Sequence, residues 1–244
     1  MTDANLTTSQ KSWTFLRLEL EKYFNQVISK NNKELMVLEV GCGMGILIKP
    51  IAKKNPKIKF TGLDMDSTKI KEASKEKIGN LNFICEDILK FKTDEKYDIV
   101  ITSEVLEHIE EPEKFLSKIS SLTKGNGFLI ISTPNRTNYP KVWFGFVFGK
   151  KADKMKKSFA EKNKKPGWKD KGHISVQGAD ELKRKLKKAG FIIKDQTRSQ
   201  PLYGGQWVDS NLIVRNLNIL IDKILPRKHF INWGWDLIFL AKKE

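Results

Sequence analysis

The stretch Leu38-Glu39-Val40-Gly41-Cys42-Gly43-Met44-Gly45 decides the fold of this chain. An apolar run with an acidic residue inside it ends in three glycines at alternate positions. A second run, Lys59-Phe60-Thr61-Gly62-Leu63, ends in Asp64 and is followed by Met65. This spacing predicts a strand, a tight turn, a helix and a second strand that closes on a carboxylate. Glycines let a backbone turn sharply and approach a ligand closely. A carboxylate at the end of the second strand accepts hydrogen bonds from a ribose diol. The chain is therefore expected to bind a nucleoside-bearing cofactor.

Spacing narrows the choice. A dinucleotide fold wants G-x-G-x-x-G, with a pyrophosphate at the helix N-terminus. Here the pattern is G-x-G-x-G and the next residue is Ile46. Glu39 is badly placed for an anionic ligand and well suited to an ammonium. The glycine loop alone leaves a dinucleotide-binding protein open, so the rest of the chain matters. Residues 67–77 are amphipathic. Strands are expected at Leu81-Asn82-Phe83-Ile84-Cys85-Glu86-Asp87-Ile88, at Tyr97-Asp98-Ile99-Val100-Ile101-Thr102-Ser103, and over residues 125–133 after a glycine turn. Alternating strands and helices imply a parallel sheet.

These residues resemble motif I and the following strands of the class I S-adenosylmethionine-dependent methyltransferases. The resemblance covers about residues 37–133 and resumes at 178–191 and 235–242. It implies an α/β fold: a seven-stranded, doubly wound Rossmann-like sheet, parallel except for one strand, with helices on both faces. Residues 191–194 and 235–241 would supply the last two strands. The implied cofactor is S-adenosylmethionine, held by Glu39, Gly41, Gly43, Gly45, Asp64 and Met65. By the same resemblance Asp87 receives the adenine amino group and Ile88 packs on the ring. Ser103, at the end of the fourth strand, faces the methionine part.

Glu104-Val105-Leu106-Glu107-His108 follows directly. A helical turn here would put Glu104, Glu107 and His108 on one face, three and four residues apart. Two carboxylates and an imidazole can hold a divalent ion with open positions for substrate oxygens. His173 is a fourth candidate ligand. The E-x-x-E-H run is similar to that of two families, the ubiquinone-biosynthesis O-methyltransferases and the small-RNA 3′-terminal 2′-O-methyltransferases. In both it implies metal ligation, here by Mg2+. Ser132-Thr133-Pro134-Asn135-Arg136 matches runs in these families as well. The other reading is metal-free: Glu107 orients a loop and His108 is a general base or lines the pocket.

At 244 residues the chain is long enough for one α/β domain with a sizeable core. We expect a single domain over 1–244: an N-terminal helical cap (1–32), a cofactor-binding half (33–133), and substrate-side insertions at 134–176 and 200–232. Residues 1–8 are polar and expected to be disordered, and helical periodicity runs from Gln10 to Lys30. We read no leader peptide and no membrane span, hence a cytoplasmic protein. The two cysteines, Cys42 and Cys85, fit a reducing compartment and are expected to fill core space. The net charge of +16 is nearly all lysine, which lacks arginine's planar fork for phosphates and bases. The first insertion holds Trp143, Phe144, Phe146 and Phe148, followed by a lysine-dense tract. That combination suits either an interfacial anchor on an anionic membrane or a solvated face capping the core. The second insertion is apolar on more than one face, as a pocket for a lipid tail would be. The reading is an O-methyltransferase acting on a hydrophobic or lipid-linked small molecule, peripheral on a membrane. The alternatives are RNA 2′-O-methylation, or a catalytically inactive cofactor-binding scaffold.

Overall fold

The computed structural model describes residues 8–29, 34–139, 172–199, 216 and 220–244, with residues 8–14 as backbone only. Residues 1–7, the aromatic run 142–148, its lysine tract and the apolar positions 212–214, 217 and 219 lie outside them.

Seven strands form one sheet. They are β1 Met36–Val40, β2 Lys59–Asp64, β3 Leu81–Cys85, β4 Tyr97–Ser103, β5 Thr123–Pro134, β6 Phe191–Arg198 and β7 Asp236–Lys243. Their order is β3-β2-β1-β4-β5-β7-β6. β7 runs antiparallel to both neighbours and the other pairs are parallel. The inner strands are apolar on both faces because both faces are covered. Their side chains alternate between two cores. Leu38, Val40, Val100, Leu129, Ile131, Leu237 and Phe239 face one way, under helices α4 (Pro112–Leu122) and α5 (Ala179–Lys188). Val37, Ile99, Ile101, Ile130, Ile238 and Leu240 face the other, under α1 (Thr8–Ile28) and α2 (Ile48–Lys54). The period-2 alternation puts Glu39 on the same side as Val37, toward α1.

α1 buries Leu16, Leu20, Tyr23, Phe24 and Val27 against that second core, the face its periodicity predicts. Helix α3 covers Ser67–Ala73, shorter than the amphipathic stretch. Its N-cap Asp66 accepts from the Thr68 and Lys69 amides at 2.9 and 3.2 Å. β3 stops at Cys85 and β6 runs on to Arg198, past its expected end. Cys85 corrects an expectation. It is exposed, because β3 is an edge strand, whereas Cys42 is buried as expected. Among the described residues no helix is long and apolar enough to cross a membrane.

The chain turns from one half of the sheet to the other between β1 and β4. Ligands of such sheets bind in the crevice at the carboxyl ends of the strands there. Register brings Ser103 beside Ser132, and Pro134 beside Asp236. β7 is reversed, so its first residue sits at this same end.

Candidate active site

The loop after β1 turns on Gly41, Gly43 and Gly45, with φ of 75°, 53° and 77°. Side chains rarely adopt such angles. At Gly41 a β-carbon would also stand 2.2 Å from Val105 Cγ2, so the close approach of β1's exit to β4's exit requires glycine. The Gly41 and Cys42 amides both donate to the Leu63 carbonyl, at 2.7 and 3.1 Å. Asp64 locks the turn further: Oδ2 accepts from the Gly43 amide at 2.8 Å and Oδ1 from the Asp66 amide at 2.9 Å. Asp64 is the last residue of β2, at the crevice end of the sheet.

A cavity of about 480 Å³ opens beside this loop, lined by Glu39, Gly41, Gly43, Ser103 and Glu104, and by Leu16, Arg17 and Leu20 of α1. Glu39 is only 4% exposed, and its Oε2 has no hydrogen-bond partner among the described residues. Burial, with the Asp64 charge adding to it against an opposing backbone hydrogen bond, pushes its carboxyl up to about 8. Arg17 also lines the cavity, and its buried Nε has no partner among the described residues. Around the loop Met44, Ile46 and Met65 are exposed, Met65 to 74%. Asp87 sits just beyond β3, where Oδ1 accepts from the Leu89 amide at 2.9 Å. Ile88 is buried in the core beneath the strands.

Past β4 the chain does not form one helical face. Glu104 has a left-handed backbone, φ 54°, and only Leu106–His108 make a single 3-10 turn. The left-handed turn takes Glu104 off the face that Glu107 and His108 share. A hydrogen-bond chain reaches Glu104: Ser103 Oγ donates to Ser132 Oγ at 2.9 Å, and Ser132 Oγ to Glu104 Oε1 at 3.0 Å. Glu107 is buried, and its Oε2 accepts from Thr133 Oγ1 at 3.1 Å. Its backbone carbonyl receives the amides of Ile174 and Ser175, both at 2.9 Å. That docking carries His173 to His108, with ring centroids 5.2 Å apart. His108 Nδ1 lies 3.2 Å from the Gly172 carbonyl, which only accepts, so Nδ1 carries the proton. Nε2 is thereby left with a lone pair, 3.8 Å from Glu107 Oε1. Glu107, His108 and His173 each offer one ligand atom, all within 4.8 Å of one another. Glu104 lies outside that trio.

Two residues here have no counterpart in the sequence reading. Asp236, buried at the start of β7, is raised to about 7 by burial, with the Glu107 charge adding to it. Burial and the charges of Asp236 and Glu107 likewise push Glu104 well above the ordinary carboxylate range. Arg17 is the other. Its position between Leu16 and Leu20 on the predicted helix was the available signal. The Ser-Thr-Pro-Asn-Arg run has a structural task. Asn135 donates to the Gly234 carbonyl at 3.0 Å and accepts from Thr137, while Arg136 pairs with Glu181.

Together the sheet order and this cleft define a Rossmann-like methyltransferase domain. The chain belongs to the methyltransferase domain family, whose profile matches residues 31–196, which places it among the S-adenosylmethionine-dependent methyltransferases. The ubiquinone biosynthesis O-methyltransferase of Rickettsia felis is 34% identical over 125 residues, covering 49% of this chain and 50% of that protein. That of Coxiella burnetii is 35% identical over 119 residues, covering 47% and 49%. The chain thus spans about half the length of the curated relatives it matches. Among solved structures, magnesium protoporphyrin IX methyltransferase from Synechocystis, with S-adenosylhomocysteine bound, superimposes with a TM-score of 0.62 at 18% identity, over 100% of this chain and 90% of that one. The [4+2]-cyclase SpnF reaches 0.63 at 16% identity, over 99% and 84%. Likeness at that level concerns the fold alone. A cyclase among the neighbours underlines that the reaction must be argued from the site.

Proposed function

We propose that the chain is an S-adenosylmethionine-dependent O-methyltransferase whose acceptor is a hydrophobic or lipid-linked small molecule. The observation that carries this reading is the pair of unmatched buried atoms on one cleft, Glu39 Oε2 and Arg17 Nε. A buried polar group without a partner is costly. The amino-acid end of the cofactor supplies both missing partners, an ammonium for Glu39 and a carboxylate for Arg17. The glycine loop admits the sugar, Asp64 accepts from its hydroxyls, and Asp87 with Met65 flanks the adenine, whereas Ile88, expected on the ring, is packed into the core instead. Asp64→Ala removes that acceptor and is expected to cost roughly 1.5–3 kcal/mol of S-adenosylhomocysteine binding by calorimetry. Unchanged affinity would take Asp64 out of the ribose site.

On the acceptor side, His108 Nε2 takes the proton from an acceptor hydroxyl as its oxygen attacks the methyl carbon. Bound S-adenosylmethionine would supply the electrophilic methyl group, its carbon–sulfur bond breaking to leave S-adenosylhomocysteine as the new oxygen–carbon bond forms. Glu107, 3.8 Å away, balances the imidazolium that forms. Glu107, His108 and His173 would hold a divalent ion, Mg2+ in the expectation above, through one carboxylate and two imidazoles, although imidazole nitrogens suit Zn2+ or Fe2+ better than Mg2+. When bound, such an ion lowers the pKa of a coordinated hydroxyl.

The hydrophobic acceptor is supported by the relatives, which are ubiquinone biosynthesis O-methyltransferases, and by the exposed Tyr139 and Ile174 on the segments flanking this site. Peripheral attachment to an anionic membrane belongs to the same proposal and rests on the sequence of residues 142–171. Protein incubated with labelled cofactor and fractionated cell extract is expected to label the lipid fraction. It is also expected to co-sediment with anionic liposomes at low salt, because each lysine near such a surface adds about 1 kcal/mol, screened as salt rises. Label in RNA or in a polar small-molecule fraction overturns the acceptor class.

A further inference from the structure

The end of the second insertion is fastened to the helix that carries Arg17. Asp222 stands between two guanidinium groups. Arg198 of β6, with no exposed surface, donates to Asp222 Oδ1 at 3.0 Å and to the Leu225 carbonyl at 3.1 Å. Arg227 donates through Nε to the same Oδ1 at 3.0 Å, and its Nη2 binds Oδ2. Lys228 Nζ reaches Asp195 at 2.7 Å, and Gln196 Nε2 donates to the Lys228 carbonyl at 2.9 Å, so the stretch is tied to β6 twice more. From this base the Arg227 guanidinium lies over the Phe15 ring, 4.0 Å from its centroid. Its Nη1 is 3.8 Å from Glu19 Oε1.

Phe15 and Glu19 are four residues apart on α1 and share one face. Arg17 is two positions from each, so it projects from the other side, where it lines the cavity. A planar cation stacked on a ring and paired with a carboxylate one turn away grips the helix at two points. Rotation of α1 about its axis would break both contacts and would swing Arg17 out of the cleft.

We propose that Arg227 is a positioning residue for the cofactor site. By holding Phe15 and Glu19 it sets the rotation of α1, and thus the place of the Arg17 guanidinium. The inference rests on the reading of Arg17 as partner of the cofactor's carboxylate. It gives the second insertion a task in cofactor binding, separate from any contact with the acceptor.

The test compares S-adenosylhomocysteine affinity in wild type, Arg17→Ala, Arg227→Ala and the double variant, with kcat and cofactor KM for each. Either single change is expected to weaken binding roughly tenfold, as loss of a hydrogen bond to a charged group does. The double variant should be no more than about twofold worse than Arg17→Ala, since groups that act through one another are not additive. Arg227→Ala should raise KM and leave kcat near wild type, and Arg227→Lys should recover only part of the loss because lysine lacks the stacking plane. Should Arg227→Ala fail to fold, Glu19→Gln, which keeps the ring contact and the Asp222 pair, is expected to weaken binding about threefold. Unchanged affinity in Arg17→Ala would overturn the carboxylate reading and this inference with it. A loss in Arg17→Ala with none in Arg227→Ala, or losses that multiply in the double variant, would overturn the positioning role alone.

Discussion

Glu39→Gln will lower S-adenosylhomocysteine affinity by roughly a hundredfold, the scale of a charge-assisted hydrogen bond lost from a buried site. The carboxyl is buried, one oxygen has no partner among the described residues, and burial pushes its pKa up to about 8. At neutral pH the empty protein therefore holds a proton there that the bound ammonium must displace. Binding at pH 7 is expected to release a proton in the wild type and none in Glu39→Gln, measured by calorimetry in two buffers of different ionisation heat. Wild-type affinity should climb as pH rises toward 8, and the glutamine variant should lack that slope. Stability of the empty protein moves the other way. The folded carboxyl keeps its proton up to about 8 and an ordinary glutamate only to 4.5, so the folded state binds more protons across that window. This contribution is complete below the lower value and is lost as pH rises through the upper one. Equal affinities with no proton release would remove Glu39 from the ammonium site.

His108→Ala will lower kcat by roughly 10²–10⁴, the usual scale for a positioned acid or base, with cofactor affinity unchanged. The geometry behind this is the Nδ1–H held by the Gly172 carbonyl and the Nε2 lone pair beside Glu107. Exhaustive chelation separates the two ways in which Nε2 can serve. Loss of turnover restored by Mg2+ assigns the ion to Glu107, His108 and His173. Turnover that survives chelation while His108→Ala is dead leaves the histidine as the base and removes the ion. A fully active His108→Ala defeats both readings. His173→Ala sharpens the distinction, because an ion loses a ligand there whereas a base keeps its own lone pair.

The cofactor half was legible in the sequence because its determinants are local. Glycines at alternate positions, Asp64 at the end of the next strand, and apolar runs of strand length each act over a few residues. Backbone sterics and side-chain periodicity translate them directly into a turn and a sheet. Even the reversed last strand could be anticipated from the resemblance, and β7 does run antiparallel to β5 and β6. Glu39 could be read as an ammonium partner from its place beside the loop. Its unpaired oxygen and raised pKa could not, because burial is a property of what packs on top, here α1. The acceptor side was less legible for a related reason. Helical spacing put Glu104, Glu107 and His108 on one face, but Glu104 is drawn into a left-handed conformation while its amide bonds to the Ser132 carbonyl on the neighbouring strand. Asp236 joins the glutamates only because β7 enters the sheet reversed, and His173 meets His108 only because residues 174 and 175 dock on the Glu107 carbonyl. Sequence by itself determined the fold and the cofactor loop, which rest on short-range geometry. Tertiary structure alone decided which distant charges share a buried space, because desolvation and Coulomb forces act between neighbours in space and leave no periodic trace along the chain.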